Sequence, residues 1–120
     1  MATFTKKKLS GSTDGLGIKV TGTSTAATVT VHTAVAGTTV GTFDEVWLYA
    51  CNTSASAVKL TIEWGTATAA DGNLEVTIQP EAGLVTLVPG LVLQNSKVVK
   101  AFAATADVIL LFGFVNAIEA

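Results

Sequence analysis

The sequence predicts an all-β chain folded as a single-domain antiparallel β-sandwich, jelly-roll-like, with about eight or nine strands. Three observations carry this prediction. Threonine is the commonest polar residue and stands among many valines, and β-branched side chains fit a pleated surface better than a helix. Apolar residues recur at alternate positions in short runs, with no sustained helical period. Turn-forming residues interrupt those runs at the spacing expected of a sandwich.

The elements follow in order. Residues 1–15 read as an N-terminal arm and residues 16–120 as the sandwich domain. Leu16 to Thr21 alternates, with Ile18 and Val20 set against Lys19 and Thr21. Thr28 to Thr33 places Val29 and Val31 against Thr30 and His32, so strict alternation puts His32 on the polar face with Thr30. Ala36 to Thr42 reads as a loop. Phe43 to Cys51 is nearly continuous and is expected to be a central strand, with Trp47 and Tyr49 on one face and Val46, Leu48 and Ala50 on the other.

Ala57 to Trp64 alternates most cleanly, with Val58, Leu60, Ile62 and Trp64 opposed to Lys59, Thr61 and Glu63. Leu74, Val76 and Ile78 repeat the pattern after Asp71-Gly72-Asn73, so these two runs are expected to pair as a hairpin. Pro80 lacks the amide proton that a ladder needs and ends the second run. Pro89-Gly90 reads as a tight turn between Leu84–Val88 and Leu91–Leu93. After a break at Asn95-Ser96, Lys97 to Ala103 and Asp107 to Val115 complete the count. Val108 to Val115 is apolar on both faces, which points to a subunit interface.

The chain has 120 residues, enough for one core without disulfides. Its seven cations are all lysine, against nine acids, and a chain without arginine is a poor candidate for nucleic-acid recognition. Only 13% of residues are charged while 49% are hydrophobic. A protein with so little charge is expected to oligomerise or to work docked on a partner. The basic start is followed by Leu9-Ser10-Gly11-Ser12-Thr13-Asp14-Gly15 rather than an apolar core, so no signal peptide is read and synthesis in the cytoplasm is expected. No apolar run is long enough for a membrane helix, and no membrane partner is expected.

Candidates for chemistry are few. His32 is the only histidine and Gly-x-Ser-x-Gly is absent, so a structural role is expected for His32 and no catalytic residue is assigned. Cys51 is the only cysteine and follows an apolar strand; a buried, inert thiol is expected. One histidine and one cysteine do not build a zinc site, no calcium loop is visible, and no cofactor or metal is assigned. Asp44 and Glu45 would point to opposite faces of a strand, a poor acid–base pair. Gly15-Leu16-Gly17 begins a dinucleotide-like pattern that no helix continues. Asn52-Thr53-Ser54 matches a glycosylation acceptor but reads as a turn. The one charge run is Lys6-Lys7-Lys8, and with Leu9 as an apolar anchor these four residues are the candidate partner-binding site.

Taken together, KLSGSTDGLGIKV, TVHTA, DEVWLYACNTSASAVKLTIEWG, LVPGLVLQNSKVVKAF and GFVNAI resemble a family of small head decoration, or cement, proteins of tailed bacteriophages. The resemblance covers nearly the whole chain. It implies a homotrimer bound to the major capsid protein on the outer surface of the virion, between capsid subunits, where it stabilises the shell. Within that setting residues 1–12 are expected to contribute capsid binding. The competing expectation is a tail- or fibre-associated protein that binds a host glycan through exposed aromatics, for which Trp47, Tyr49 and Trp64 are the candidates.

Overall fold

The computed structural model describes residues 2–120 and consists of two antiparallel sheets packed face to face. The strands are β1 (Thr3–Lys8), β2 (Ile18–Lys19), β3 (Val29–Thr33), β4 (Phe43–Asn52), β5 (Val58–Trp64), β6 (Asn73–Ile78), β7 (Val85–Leu93), β8 (Val98–Ala103) and β9 (Ile109–Glu119). A 3-10 turn, Thr25–Ala27, lies between β2 and β3. One sheet runs β1-β9-β4-β7, with β2 continuing the β1 edge of β9; the other runs β3-β8-β5-β6. The pairings are nested. β5 pairs with β6, β4 with β7, β3 with β8, and β1 and β2 both with β9.

Alternation explains the core. In β4, Val46, Leu48 and Ala50 turn inward and are fully buried, as are Leu111 and Val115 of β9 and Val88 of β7. They meet Leu60 and Ile62 of β5, Ile78 of β6, and Val99, Ala101 and Ala103 of β8. The predicted hairpin is present, with Val58 opposite Ile78 and Ile62 opposite Leu74. Asn52 closes the turn after β4: its amide donates to the carbonyls of Ser56 and Ile78, while its Oδ1 accepts from the backbone and hydroxyl of Ser54. That side chain is buried inside the fold.

Four expectations are revised. The segment expected as an arm contains the edge strand β1, in register with β9 from Thr3 opposite Glu119 to Lys8 opposite Phe114. Leu9, expected as an apolar anchor for a partner, is 1% exposed and belongs to the protein's own core. Pro89-Gly90 is not a turn but lies within β7. The chain absorbs it as a bulge, because the partners of Val46 and Trp47 step from Leu91 to Pro89 and skip Gly90. Gly90 takes a φ of 87°, a conformation open to glycine, and β7 is an edge strand, where a missing amide proton is tolerated.

The fourth revision concerns His32. Pairing between β3 and β8 steps from Thr30 opposite Lys100 to His32 opposite Val99, leaving Val31 as an extra residue. One inserted residue reverses the alternation. His32 therefore turns inward, away from the face of Thr30, and is 4% exposed.

Candidate functional site

Two groups of polar and aromatic side chains stand out once the strands are placed. The first is the buried cluster around His32. Its Nε2 lies 2.7 Å from Oδ2 of Asp44, and its Nδ1 accepts the backbone N–H of Ser10 at 3.0 Å. An acceptor at Nδ1 carries no proton, so the ring is the neutral tautomer that donates from Nε2 to the carboxylate. Asp44 Oδ2 also accepts the amide of Val35 at 3.2 Å, and Ser10 Oγ accepts the amide of Thr33 at 2.8 Å.

His32 and Asp44 sit in different sheets, so this network pins the β1–β2 connection, β3, the following loop and β4 at one point. A cleft of about 530 Å³ beside it is lined by Lys7, Ser10, His32, Asp44 and Glu119, among others. Both ring nitrogens are committed within the fold, and the serine contributes its backbone to the ring. The arrangement holds segments together. Asp44 and Glu45 do point to opposite faces, as expected, and Asp44 is an inter-sheet partner of His32.

The second group is the outer face of the five-stranded sheet. Alternation along β9 sends Leu110, Phe112, Phe114, Asn116 and Ile118 outward, and along β4 it sends Phe43, Glu45, Trp47, Tyr49 and Cys51 outward; all are half-buried. Register aligns these residues into rows across the strands. Lys8, Phe114, Trp47 and Pro89 form one row, and Lys6, Asn116, Glu45 and Val92 form the next. Phe4, Ile118 and Phe43 form a third. The centre is aromatic and aliphatic, with lysines along its β1 rim. Cys51 lies in this outer layer, half-buried, not in the core.

The rows are locked together. Trp47 stacks on Phe114 with centroids 5.9 Å apart and planes 9° from parallel. Lys6 Nζ lies 4.3 Å from the Phe114 centroid, within cation–π range. The indole N–H of Trp47 donates to Glu45 Oε1 at 2.7 Å, and Asn116 Nδ2 donates to the same oxygen at 3.0 Å. Gly90 supplies the room: a Cβ there would sit 3.0 Å from Cζ2 of Trp47. Gly17 does the same for Phe112, whose Cζ would lie 2.8 Å from a Cβ.

The hydrogen bonds from Asn116 and Trp47 hold the Glu45 carboxyl below its ordinary value because they favour the charged form. A group with a lowered folded value contributes stability above its unfolded value and loses it as pH falls through the folded one. Trp47 emission, read in a Trp64→Phe background, is therefore expected to change with a midpoint below the usual carboxylate range. Glu45→Gln should abolish that transition, and a midpoint within the ordinary range would contradict the geometry.

The strand also divides the basic run. By register Lys6 and Lys8 belong to the outer face and Lys7 to the opposite one, although Lys7 and Lys8 both border the His32 cleft. The candidate site of Lys6, Lys7, Lys8 and Leu9 is thus separated into two surface positions on one face, one on the opposite face and one core residue. What the sequence did not single out is the partnership of Lys6 with Phe114, Trp47, Glu45 and Asn116, which depends on strand order. Only the two-faced apolar character of residues 108–115 hinted at it. Comparison of the chain with protein-family models, curated proteins and solved structures returned no match.

Proposed function

We propose that the protein is a docking module that seats the outer face of its five-stranded sheet on other protein subunits. The observation that carries this reading is the locked Lys6–Phe114–Trp47–Glu45–Asn116 arrangement. A half-buried aromatic centre with a charged rim has the composition of a protein interface, in which tryptophan and tyrosine act as anchors. Pre-organisation reduces the entropy lost on docking. The face suits a protein partner better than a sugar ring: Trp47 and Phe114 stack on each other and Lys6 lies over the Phe114 ring, which occupies ring surface that a sugar would need.

The resemblance to head decoration proteins supplies the setting. We take the partner to be the major capsid protein on the outside of a tailed-phage head, with the chain made in the bacterial cytoplasm and acting as a homotrimer that clamps neighbouring capsid subunits. Nested pairing favours a jelly roll for such a sandwich: taking β1 and β2 as one interrupted strand leaves two four-stranded sheets whose pairs enclose one another, as in a single long antiparallel ribbon wrapped on itself.

Binding to purified heads stripped of the protein tests the reading. Trp47→Ala and Phe114→Ala are each expected to weaken binding by about 30-fold, the effect of a central anchor, while circular dichroism shows the sandwich intact. Lys6→Glu should weaken binding as well. A deletion of residues 1–12 would be a poorer test, because it would remove the core residue Leu9 together with the rim. Undiminished occupancy by all three variants would refute docking through this face.

A further inference from the structure

The six residues of β1 are all exposed, those that alternate toward the second sheet as well as those on the outer face. Thr5 and Lys7 stand opposite the buried Ala117 and Val115 of β9, yet no strand of the second sheet covers them. What holds β1 is its ladder to β9 and the contact of Lys6 with Phe114. Attachment changes abruptly at the next residue. Leu9 is 1% exposed, and behind it Ser10 donates to His32 while Gly11 donates to the carbonyl of Val31. The boundary between a strand held by its ladder and one side-chain contact and a firmly anchored chain thus falls between Lys8 and Leu9.

The other side of the ladder does not depend on β1. Residues 109–118 of β9 pair with β4 along their entire length, and Val115 and Ala117 are buried in the domain. If β1 left, β9 would remain in place with an open edge at residues 114–119. A free edge of this kind is a template for an incoming strand. The strand that matches it in register and in side chains is another copy of β1.

We propose that β1 exchanges between copies: in the homotrimer, residues 3–8 of one subunit pair with β9 of the next. The inference rests on the oligomer proposed above and gives it a physical link. Exchange preserves every ladder hydrogen bond and converts it into a bond between subunits, which makes it a low-cost route to association. It also makes each docking face composite. Lys6 and Lys8 on the rim come from one subunit, and Phe114, Trp47, Glu45 and Asn116 in the centre come from its neighbour, so the complete face exists only in the assembly.

Cross-linking decides the matter. Thr5→Cys and Ala117→Cys, at facing positions, are introduced together in a Cys51→Ser chain, oxidised under native conditions and run on a non-reducing gel, with the native mass measured by sedimentation before oxidation. Exchange predicts covalent products of two and three chains. As a second arm, a Thr5→Cys chain and a tagged Ala117→Cys chain, each carrying Cys51→Ser, are refolded together and should yield a mixed covalent dimer. A trimer whose product stays the size of one chain, with no mixed dimer, overturns the exchange and leaves the trimer standing. A sedimentation mass of one chain overturns both.

Discussion

Replacing His32 by alanine is expected to lower the unfolding free energy by about 3 kcal/mol, the cost of leaving a buried carboxylate and a backbone amide without their hydrogen-bond partner. Asp44 is 6% exposed and relies on His32 Nε2 and the Val35 amide at one of its oxygens. Without the imidazole, the carboxylate stays in a cleft with an amide as its remaining donor, and the Ser10 N–H loses its acceptor too. Urea denaturation monitored by tryptophan fluorescence measures the loss. The double variant His32→Ala/Asp44→Ala should cost clearly less than the sum of the single changes, since it removes both members of the pair. Additive losses would mean that the two side chains act independently and that the inter-sheet pin is misread.

Gly113→Ala is expected to be at least as disruptive, by about 3 kcal/mol or more, at the upper end of what overpacking costs. Gly113 stands opposite Leu48 in the ladder between the two longest strands. A Cβ there would lie 2.0 Å from the carbonyl oxygen of Trp47 and 3.2 Å from Cα of Leu48. Both contacts are backbone, so no side-chain rotation relieves them, and β4 and β9 would have to part where the core is fully buried. The proposed docking face would suffer as well, because Trp47 and Phe114 belong to the same pair of strands. Loss of near-ultraviolet ellipticity from the Trp47–Phe114 stack should accompany the drop in stability; a variant with native stability would show that the sheet accommodates the methyl group by a shift of the strands.

The contrast between Gly113 and His32 shows what the sequence made legible. The nearly continuous run Phe43–Cys51 and the clean alternation of Ala57–Trp64 placed β4 and β5 and put Val46, Leu48, Ala50, Val58, Leu60 and Ile62 in the core, because such patterning is a local property. Gly113, by contrast, looks like an interruption of an apolar run until the neighbour across the ladder is known. The bulge at Val31 leaves no local mark either: Thr30, Val31 and His32 alternate normally in the chain, and the extra residue emerges when β3 meets β8. Pro89-Gly90 carries strong turn chemistry, and the edge position of β7 is what lets a strand continue through it. Lys6-Lys7-Lys8 reads as an arm because its side chains are all charged, and those side chains do remain exposed; only its backbone ladder is invisible from the residues. The outer aromatic face draws on β1, β4, β7 and β9, which are far apart in sequence, so its members could be suspected singly but not assembled.

The nested ladders carry a kinetic consequence. β5 and β6 are joined by eight residues, a short loop to close, whereas each enclosing pair must bring together ends separated by everything already formed. Loop-closure entropy thus rises outward, and a topology dominated by such distant pairings folds on the slow end of the range, in milliseconds to seconds. The natural order is hairpin first and the β1–β9 ladder last. Until that final step the edge of β9 stands open, and under the proposed exchange the concentration of chains during synthesis would decide whether a strand closes on its own domain or on another.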